Sequence, residues 1–254
     1  MTPPFLKAEN FGAAIAHGFF GRQGGISEPP FDTLNTGPFS SDDPDCIIEN
    51  RRRCVNAIGA DAAKLITLKQ VHSATVVKGT EPFRDAPEAD ALVSATPGLV
   101  LGVLTADCMP LLFVDLQARV AGACHAGWRG ACAGVIGATV KEMVALGAKA
   151  DRIHAALGPC LRQPNFEVGM DLVAAFTGSW RNSSDLFAPG ATSEKRLFNL
   201  AGFAARQLEE SGVNSFTDLN ICTLGSNEAY FSYRASQRLG ATDYGRNLSI
   251  IVTP

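Results

Sequence analysis

The stretch LVLGVLTADCMPLLFVDLQARVAGACHAGWRG, residues 99–130, decides the fold of this chain. It contains three apolar runs of strand length, 99–104, 110–115 and 119–124. Turn-forming or charged residues separate these runs. Runs of this length and composition predict buried β-strands. Directly downstream, apolar side chains recur at helical spacing over 128–146, which predicts a helix packed on those strands. The stretch therefore predicts an α/β fold.

The elements predicted outside this stretch extend the same pattern. Asp43 and Pro44 have the preferences of a helix N-cap and first turn, so a helix is expected from Pro44 to Ile58, before Gly59. Further predicted elements are strands at 153–157, 219–222 and 248–252 and a helix at 199–210. Because strands and helices alternate without a regular βαβ repeat, we expect a single layered α/β domain, residues 1–254, in which a mixed sheet is covered by flanking helices.

The composition excludes several classes of protein. The net charge of −3 lacks the basic excess of a nucleic-acid-binding surface. The longest apolar stretch, 99–114, is interrupted by Thr105, Asp107 and Pro110 and is shorter than the roughly 20 residues of a membrane-spanning helix. The N-terminal residues lack a signal-peptide pattern, and the seven cysteines are an odd number. We therefore expect a cytoplasmic protein with free thiols that binds neither nucleic acid nor membrane.

Two histidines and a cysteine stand at the ends of predicted strands. His125 follows the run 119–124, Cys108 follows 99–104 within Thr-Ala-Asp-Cys, and His72 ends a further candidate strand. Taken singly, each has an ordinary alternative as a core histidine or an inert buried cysteine. Imidazole and thiolate are preferred ligands of Zn²⁺, and three protein ligands leave a fourth position for water. Together the three residues predict a zinc site, without a CxxC or HExxH motif to group them.

A charged side chain lies on the apolar face of the first predicted helix. Arg51 is one helical turn beyond Ile47, which marks that face. A guanidinium that faces the core requires an anionic partner. Two kinds of partner are open: an internal carboxylate, Asp32 or Asp107, and a bound phosphate.

Several segments of the chain resemble a known family. They are Gly-Phe-Phe-Gly-Arg-Gln-Gly-Gly-Ile-Ser (18–27), Lys-Gln-Val-His (69–72), Thr-Ala-Asp-Cys-Met-Pro (105–110), His-Ala-Gly-Trp-Arg-Gly (125–130), Leu-Gly-Pro (157–159), Phe-Glu-Val-Gly (166–169), Cys-Thr (222–223) and Phe-Ser-Tyr-Arg (231–234). In this order they are similar to the YfiH-like family, often labelled laccase domain or polyphenol oxidase. The segment 225–228 departs from the family pattern, in what the resemblance makes the C-terminal wall of the pocket.

The resemblance implies a purine nucleoside phosphorylase with a layered α/β fold like that of cysteine hydrolases. Its substrates would be phosphate with adenosine, inosine, guanosine or methylthioadenosine, and it would also deaminate adenosine to inosine. The implied zinc ligands are His72, Cys108 and His125, and the expected catalytic residues are these three and Asp107, as a proton shuttle. The expected substrate- and phosphate-binding residues are Arg51, Arg22, Asn35 and Arg129. Family members are treated as monomers, and we expect a monomer.

Other functions compete with this one. The oxidase label implies copper, but a multicopper oxidase requires more histidines than the four in this chain, which are His17, His72, His125 and His154. Metal-free cysteine hydrolase chemistry would use Cys108 as the nucleophile and His125 or His72 as its base. Some members are linked to the editing of peptidoglycan precursors. A partner-binding protein with a vestigial zinc site would turn over no nucleoside.

Overall fold

The strands of the protein divide among three sheets. The computed structural model describes residues 2–254. The strands are β1 (Phe5–Leu6), β2 (His17–Phe20), β3 (Leu65–Ile66), β4 (Val76–Lys78), β5 (Ala91–Ser94), β6 (Val100–Thr105), β7 (Met109–Asp115), β8 (Val120–Ala126), β9 (His154–Leu157), β10 (Glu167–Gly169), β11 (Phe187–Pro189), β12 (Lys195–Phe198), β13 (Ser215–Asp218) and β14 (Asn247–Val252). The α-helices are α1 (Pro44–Ala57), α2 (Trp128–Cys132), α3 (Val135–Ala145), α4 (Met170–Ser179), α5 (Leu200–Glu210) and α6 (Tyr233–Arg238).

Two large sheets pack face to face. The five-stranded sheet has the order β1-β2-β14-β6-β3, and the six-stranded sheet has the order β13-β9-β7-β8-β5-β4. Side chains of β6 and β14, including Leu101 and Ile251, share one apolar cluster with Leu112 and Ala123 of the second sheet. The opposite face of the six-stranded sheet packs against α3 and α5, through residues such as Phe113. The smaller sheet, β10-β12-β11, contacts α4.

The stretch 99–130 supplies strands to both large sheets. β7 and β8 pair antiparallel, and every residue of both strands is buried because the six-stranded sheet is covered on each face. Their sequences are therefore continuously apolar rather than alternating. β6 belongs to the other sheet, so the loop 106–108 crosses between the two sheets, with Asp107 at a φ of 83°. This crossing places Cys108 at the edge where the sheets meet.

The α/β class with flanking helices is confirmed, but the strands form several sheets instead of the one mixed sheet expected. The predicted elements at 44–58, 99–104, 110–115, 119–124, 153–157, 199–210 and 248–252 are each present, with ends that shift by at most two residues. Asp43 caps α1 as predicted, because its side chain accepts the backbone N–H of Asp45 at 2.9 Å. None of the helices within residues 2–254 has the length and apolar character required to cross a membrane.

Two predicted elements were wrong in detail. The single helix expected over 128–146 is interrupted at Gly134, whose φ of 88° belongs to the left-handed region, so α2 and α3 are separate. The strand expected at 219–222 is absent, and the chain pairs earlier, as β13, in parallel with β9. β13 is an edge strand whose residues are half-buried or exposed, and it therefore lacks the apolar run that identifies a buried strand.

Candidate active site

The ligand atoms of His72, Cys108 and His125 all lie within 4.8 Å of one another. His125 is the penultimate residue of β8, and Cys108 lies in the loop directly before β7. The Sγ atom of Cys108 is 3.8 Å from Nε2 of His72. The two imidazole rings are 4.8 Å apart between centroids and nearly perpendicular, at 82°. The fold thus brings together three side chains that are widely separated in sequence.

His72 does not end a strand, which corrects the prediction for this residue. It lies in the loop between β3 and β4, with a φ of 60°. The loop is held by Asp90, whose carboxylate accepts the backbone N–H of His72 at 3.0 Å and that of Ser73 at 2.5 Å. A buried carboxylate, rather than strand pairing, therefore positions the exposed imidazole of His72.

The same carboxylate orients the second histidine. Asp90 directly precedes β5 and is fully buried, and its Oδ1 lies 2.8 Å from Nδ1 of His125. A carboxylate accepts hydrogen bonds, so Nδ1 of His125 carries a proton, and Nε2 is left as the atom that could bind a metal. Sequence reasoning did not identify Asp90. The one available signal is a charged residue directly before the apolar run Ala91–Val93.

The electrostatics of the cluster favour a thiolate at Cys108. Burial alone would raise the pKa of Cys108, but the imidazoles of His125 and His72 outweigh it and lower that pKa below its ordinary value. Burial would lower the pKa of His125, whereas Cys108 and Asp90 together raise it. A thiolate beside imidazole nitrogens is the form in which these residues bind Zn²⁺. By contrast, burial raises the pKa of Cys124 to about 12, as expected for an inert core thiol.

Gly127 allows the chain to pass close to the cluster. A Cβ atom at this position would lie 2.6 Å from Cδ2 of His72 and 3.0 Å from Sγ of Cys108. Both distances are shorter than ordinary contacts, so a side chain would displace the ligands. The cluster therefore requires a glycine at position 127.

Two cavities open beside the cluster. The first, which we call the Tyr244 cavity, has a volume of about 450 Å³, and its walls include Phe39, Leu68, Gln70, Thr105, Tyr244 and Arg246. The second, the Arg129 cavity, has a volume of about 420 Å³, and its walls include Trp128, Arg129, Phe166, Glu167, Asp171 and Arg234. The residues that line both cavities are His72, Ala106, Cys108 and Tyr233. The cluster therefore lies at the junction of two compartments of small-molecule size.

Arg51 lies behind the wall of the Tyr244 cavity. Its Nε donates to the carbonyl of Thr36 at 2.8 Å, and its Nη1 lies 3.4 Å from Oγ1 of Thr67. Within residues 2–254, its Nη2 is buried without a hydrogen-bond partner, and burial lowers the pKa of Arg51 to about 10. The internal ion pair considered as an alternative is wrong, because Asp32 pairs with Arg22 at 2.9 Å and the carboxylate of Asp107 binds other groups.

Arg22 and Asn35 line neither cavity. Arg22 donates to Asp32 and to the carbonyl of Asn227, and its guanidinium lies over the ring of Phe231. Asn35 is fully buried, and its Oδ1 accepts the backbone N–H groups of Gly37 and Arg246. Asn35 thus supports two residues of the cavity wall from behind.

Asp107 and Arg129 both line the Arg129 cavity. The two carboxylate oxygens of Asp107 accept Oγ1–H of Thr223 at 2.5 Å and the backbone N–H of Arg234 at 2.6 Å. Because both carboxylate oxygens already accept hydrogen bonds, Asp107 is better placed to position Thr223 and Arg234 than to act as the proton shuttle that the sequence predicts. The segment 225–228 lines neither cavity, and the C-terminal residues that do are Tyr233, Arg234, Tyr244 and Arg246.

Sequence comparison places the chain in a family. The family described as multi-copper polyphenol oxidoreductase laccase matches residues 16–254. A Deinococcus radiodurans protein named purine nucleoside phosphorylase is 40% identical over 252 residues, which cover 99% of this chain and 93% of that protein. Purine nucleoside phosphorylase YfiH of Escherichia coli K12 is 39% identical over 220 residues, 86% of this chain and 88% of that protein. The chain belongs to the YfiH-like laccase-domain family.

Solved structures of YfiH-like proteins share the fold over the whole chain. A Neisseria meningitidis protein, NMB0706, has a TM-score of 0.84 at 32% identity, covering 100% of this chain and 98% of its own. The Bacillus licheniformis hypothetical protein YfiH has a TM-score of 0.89 at 24% identity, with 100% and 97% coverage. At 24% identity, the similarity to the Bacillus licheniformis protein shows a shared fold alone.

The family description mentions copper, but this chain has too few ligands for the copper sites of a multicopper oxidase. His17 is buried, accepts the backbone N–H of Ala8 at its Nε2, and lies 2.8 Å from the carbonyl of Ile15 through its Nδ1. His154 contacts the hydroxyl of Ser215. Within residues 2–254, the only group of three potential ligands is His72, Cys108 and His125. This set provides one metal position and not the several that a multicopper oxidase requires.

Proposed function

We propose that this member of the YfiH-like family is a purine nucleoside phosphorylase. The observation that carries the proposal is the His72–Cys108–His125 cluster at the junction of two cavities, in a chain whose near full-length relatives have that name. Two compartments beside one reactive position suit a reaction that joins two small molecules.

The proposed reaction uses phosphate and adenosine, inosine, guanosine or methylthioadenosine. A phosphate oxygen bonds to C1′ of the ribose, and the bond from C1′ to the purine nitrogen breaks. The electron pair of that bond stays on the purine, which takes up a proton, and the products are the free base and the ribose 1-phosphate. Negative charge develops on the departing purine, so hydrogen-bond donors near the base lower the barrier.

Zinc is the metal that we propose for the cluster. Two imidazoles and a thiolate form a ligand set that zinc prefers, and Asp90 supplies the carboxylate that typically orients a ligating histidine. When bound, zinc supplies Lewis acidity at the junction of the cavities. His72, Cys108 and His125 would hold it, while Gly127 leaves space for the ligands.

Adenosine deamination is a second activity that we propose for the same cluster. The observation that favours it is the exposure of the cluster toward the Tyr244 cavity, which His72, Cys108 and His125 all line. A purine amino group in that cavity would lie close to the ligand set. Release of inosine from adenosine without phosphate would distinguish this activity from phosphorolysis.

A metal-free cysteine hydrolase is the alternative from another class. It is favoured by the lowered pKa of Cys108 and by the 3.8 Å distance between its Sγ and Nε2 of His72. Activity of zinc-free protein that iodoacetamide abolishes would support this alternative. Activity that depends on stoichiometric zinc would contradict it.

We also propose that the protein acts as a monomer, as the resemblance to the family implies. The seven cysteines are free thiols in the structure, and this supports a reducing, cytoplasmic setting for the proposed activity.

Mass-spectrometric product analysis tests the proposed function. Purified protein is incubated with adenosine, with and without phosphate, beside a Cys108→Ala variant. We expect adenine and ribose 1-phosphate to form only with phosphate, and the variant to form neither. Unchanged adenosine in every sample of the folded wild-type protein would contradict the proposal.

A further inference from the structure

The two cavities meet at the cluster but differ in chemistry. Displacement at C1′ brings the phosphate to the face of the ribose opposite the departing base, so phosphorolysis requires two compartments on either side of the sugar. Building on the proposed function, we infer that the purine binds in the Tyr244 cavity and the phosphate in the Arg129 cavity. The ribose then lies at their junction, beside His72, Cys108 and Tyr233.

The walls of the Tyr244 cavity suit a flat aromatic base. Tyr244 and Tyr233 lie with ring centroids 5.0 Å apart, and Phe39 stands at the cavity with 64% of its surface exposed. Leu68 and Leu104 add apolar surface. Aromatic rings stack with bases of any identity, and exposed rings gain most from the apolar area that stacking buries.

The guanidinium that lines the Tyr244 cavity, that of Arg246, already has a carboxylate partner, whereas the Nη2 of Arg51, unpaired within residues 2–254, lies behind the wall. The guanidinium of Arg246 is paired with Asp243 at 3.0 Å and lies 4.0 Å from the ring centroid of Tyr244. Thr105 is only 3% exposed, and its hydroxyl has no hydrogen-bond partner within residues 2–254. An unpaired buried hydroxyl gains from a ligand that offers a donor or an acceptor, and a purine offers both.

The Arg129 cavity has cationic groups without carboxylate partners. Within residues 2–254, the guanidinium of Arg129 makes no hydrogen bond or ion pair and lies 4.3 Å from the ring centroid of Trp128. The guanidinium of Arg234 makes two long hydrogen bonds, both 3.4 Å, to the carbonyl of Glu167, and lies 5.9 Å from the ring centroid of Phe166. Guanidinium groups bind phosphate oxygens through paired, charge-assisted hydrogen bonds.

The acidic residues of the Arg129 cavity leave these cations available. Asp107 is occupied by Thr223 and by the backbone of Arg234. Glu167 accepts the backbone N–H of Ala191 at 2.9 Å. Asp171 and Arg129 are both exposed to solvent, where charges are screened, and within residues 2–254 they form no ion pair with each other. An inorganic phosphate in this cavity would therefore meet Arg129 and Arg234 as its charged donors.

Separate Michaelis constants for the two substrates test the inference. In Arg129→Met we expect the KM for phosphate to rise about 10- to 100-fold, because one charge-assisted interaction is lost, with the KM for inosine unchanged. Sulfate should compete with phosphate in the wild type, and its inhibition should weaken in the variant. Arg181→Met is the matched control, since Arg181 is exposed and lines neither cavity.

The complementary variant addresses the purine. Phe39→Ala removes an exposed ring and should raise the KM for inosine about 3- to 10-fold, while the KM for phosphate stays unchanged. If Arg129→Met instead raises the KM for inosine and Phe39→Ala that for phosphate, the inference is overturned while the proposed function stands. If wild-type protein consumes inosine without phosphate, or not at all, the proposed function itself fails.

Discussion

Oδ1 of Asp90 lies 2.8 Å from Nδ1 of His125, and the same oxygen accepts the backbone N–H of His72 at 3.0 Å. One buried carboxylate thus orients one ligand of the cluster through its ring and another through its backbone. Such outer partners of metal-bound histidines contribute strongly to metal affinity. The loop that carries His72 and the strand that carries His125 are therefore coupled through Asp90.

Asp90→Asn should weaken zinc binding about 10- to 100-fold. The amide offers a weaker acceptor to Nδ1 of His125, and its NH₂ group cannot accept the backbone N–H of Ser73. Competition with a chromophoric chelator would measure the affinity. Asp85→Asn, at an exposed position, is the control. An affinity equal to that of the wild type in a folded Asp90→Asn protein would show that the carboxylate does not support the metal.

Gly127→Ala should disrupt the cluster although it substitutes none of the three ligand residues. The added Cβ would lie 2.6 Å from Cδ2 of His72 and 3.0 Å from Sγ of Cys108, so at least one ligand must move. We expect zinc content and phosphorolysis to fall at least tenfold, by analogy with the cost of a ligand displaced by about 1 Å. Gly178→Ala in α4 is the matched control, since nothing lies within 4 Å of the point that its added Cβ would occupy. Full zinc occupancy in Gly127→Ala would contradict this account.

Asp115 should make the stability of the protein depend on pH. Burial would raise the pKa of Asp115, but backbone N–H groups of Ala118 and Lys149 and the guanidinium of Arg152 outweigh it and lower that pKa. Since the folded pKa is below the unfolded value of about 3.9, the stabilisation is present above about pH 4. It is lost as the pH falls through the folded pKa.

Asp115→Asn should therefore lower the free energy of unfolding at pH 7 by about 2 kcal/mol, the contribution of a hydrogen bond to a charged group, and the deficit should shrink at pH 3. Urea denaturation at both pH values would measure it. Asp151→Asn, at an exposed position, is the control and should change the stability little at either pH. A deficit that is equal at pH 7 and pH 3 would assign the effect to packing rather than to ionisation.

Local signals account for the elements that the sequence predicts. The apolar runs of β7 and β8 are buried on both faces, and α1 has a cap at Asp43 and an apolar face. Such features depend on neighbours in sequence. The division of β6 and β7 between two sheets depends instead on contacts across the molecule, and the sequence contains no local mark of it.

The same distinction applies to the site. His72, Cys108 and His125 are rare residue types in suggestive positions, so they can be selected from the sequence. Asp90 is one of many acidic residues, and only its burial beside two histidines reveals its role. The cavity walls join segments near residues 39, 68 and 244, which come together only in the folded chain. Helical phase alone singles out Arg51, but its contacts with Thr36 and Thr67 place it behind the wall.

Removal of the metal separates a zinc enzyme from a metal-free one. His72→Ala removes an exposed ligand, so we expect folded protein that has lost stoichiometric zinc and phosphorolysis. His154→Ala is the matched histidine control, because His154 contacts Ser215 and lines neither cavity. It should keep one zinc per chain.

A chelator should lower the Tm of the wild type and of His154→Ala, since a metal that binds only the folded state stabilises it. The Tm of His72→Ala should not change. Zinc content and Tm that respond alike in all three proteins would place the metal elsewhere and favour the cysteine hydrolase.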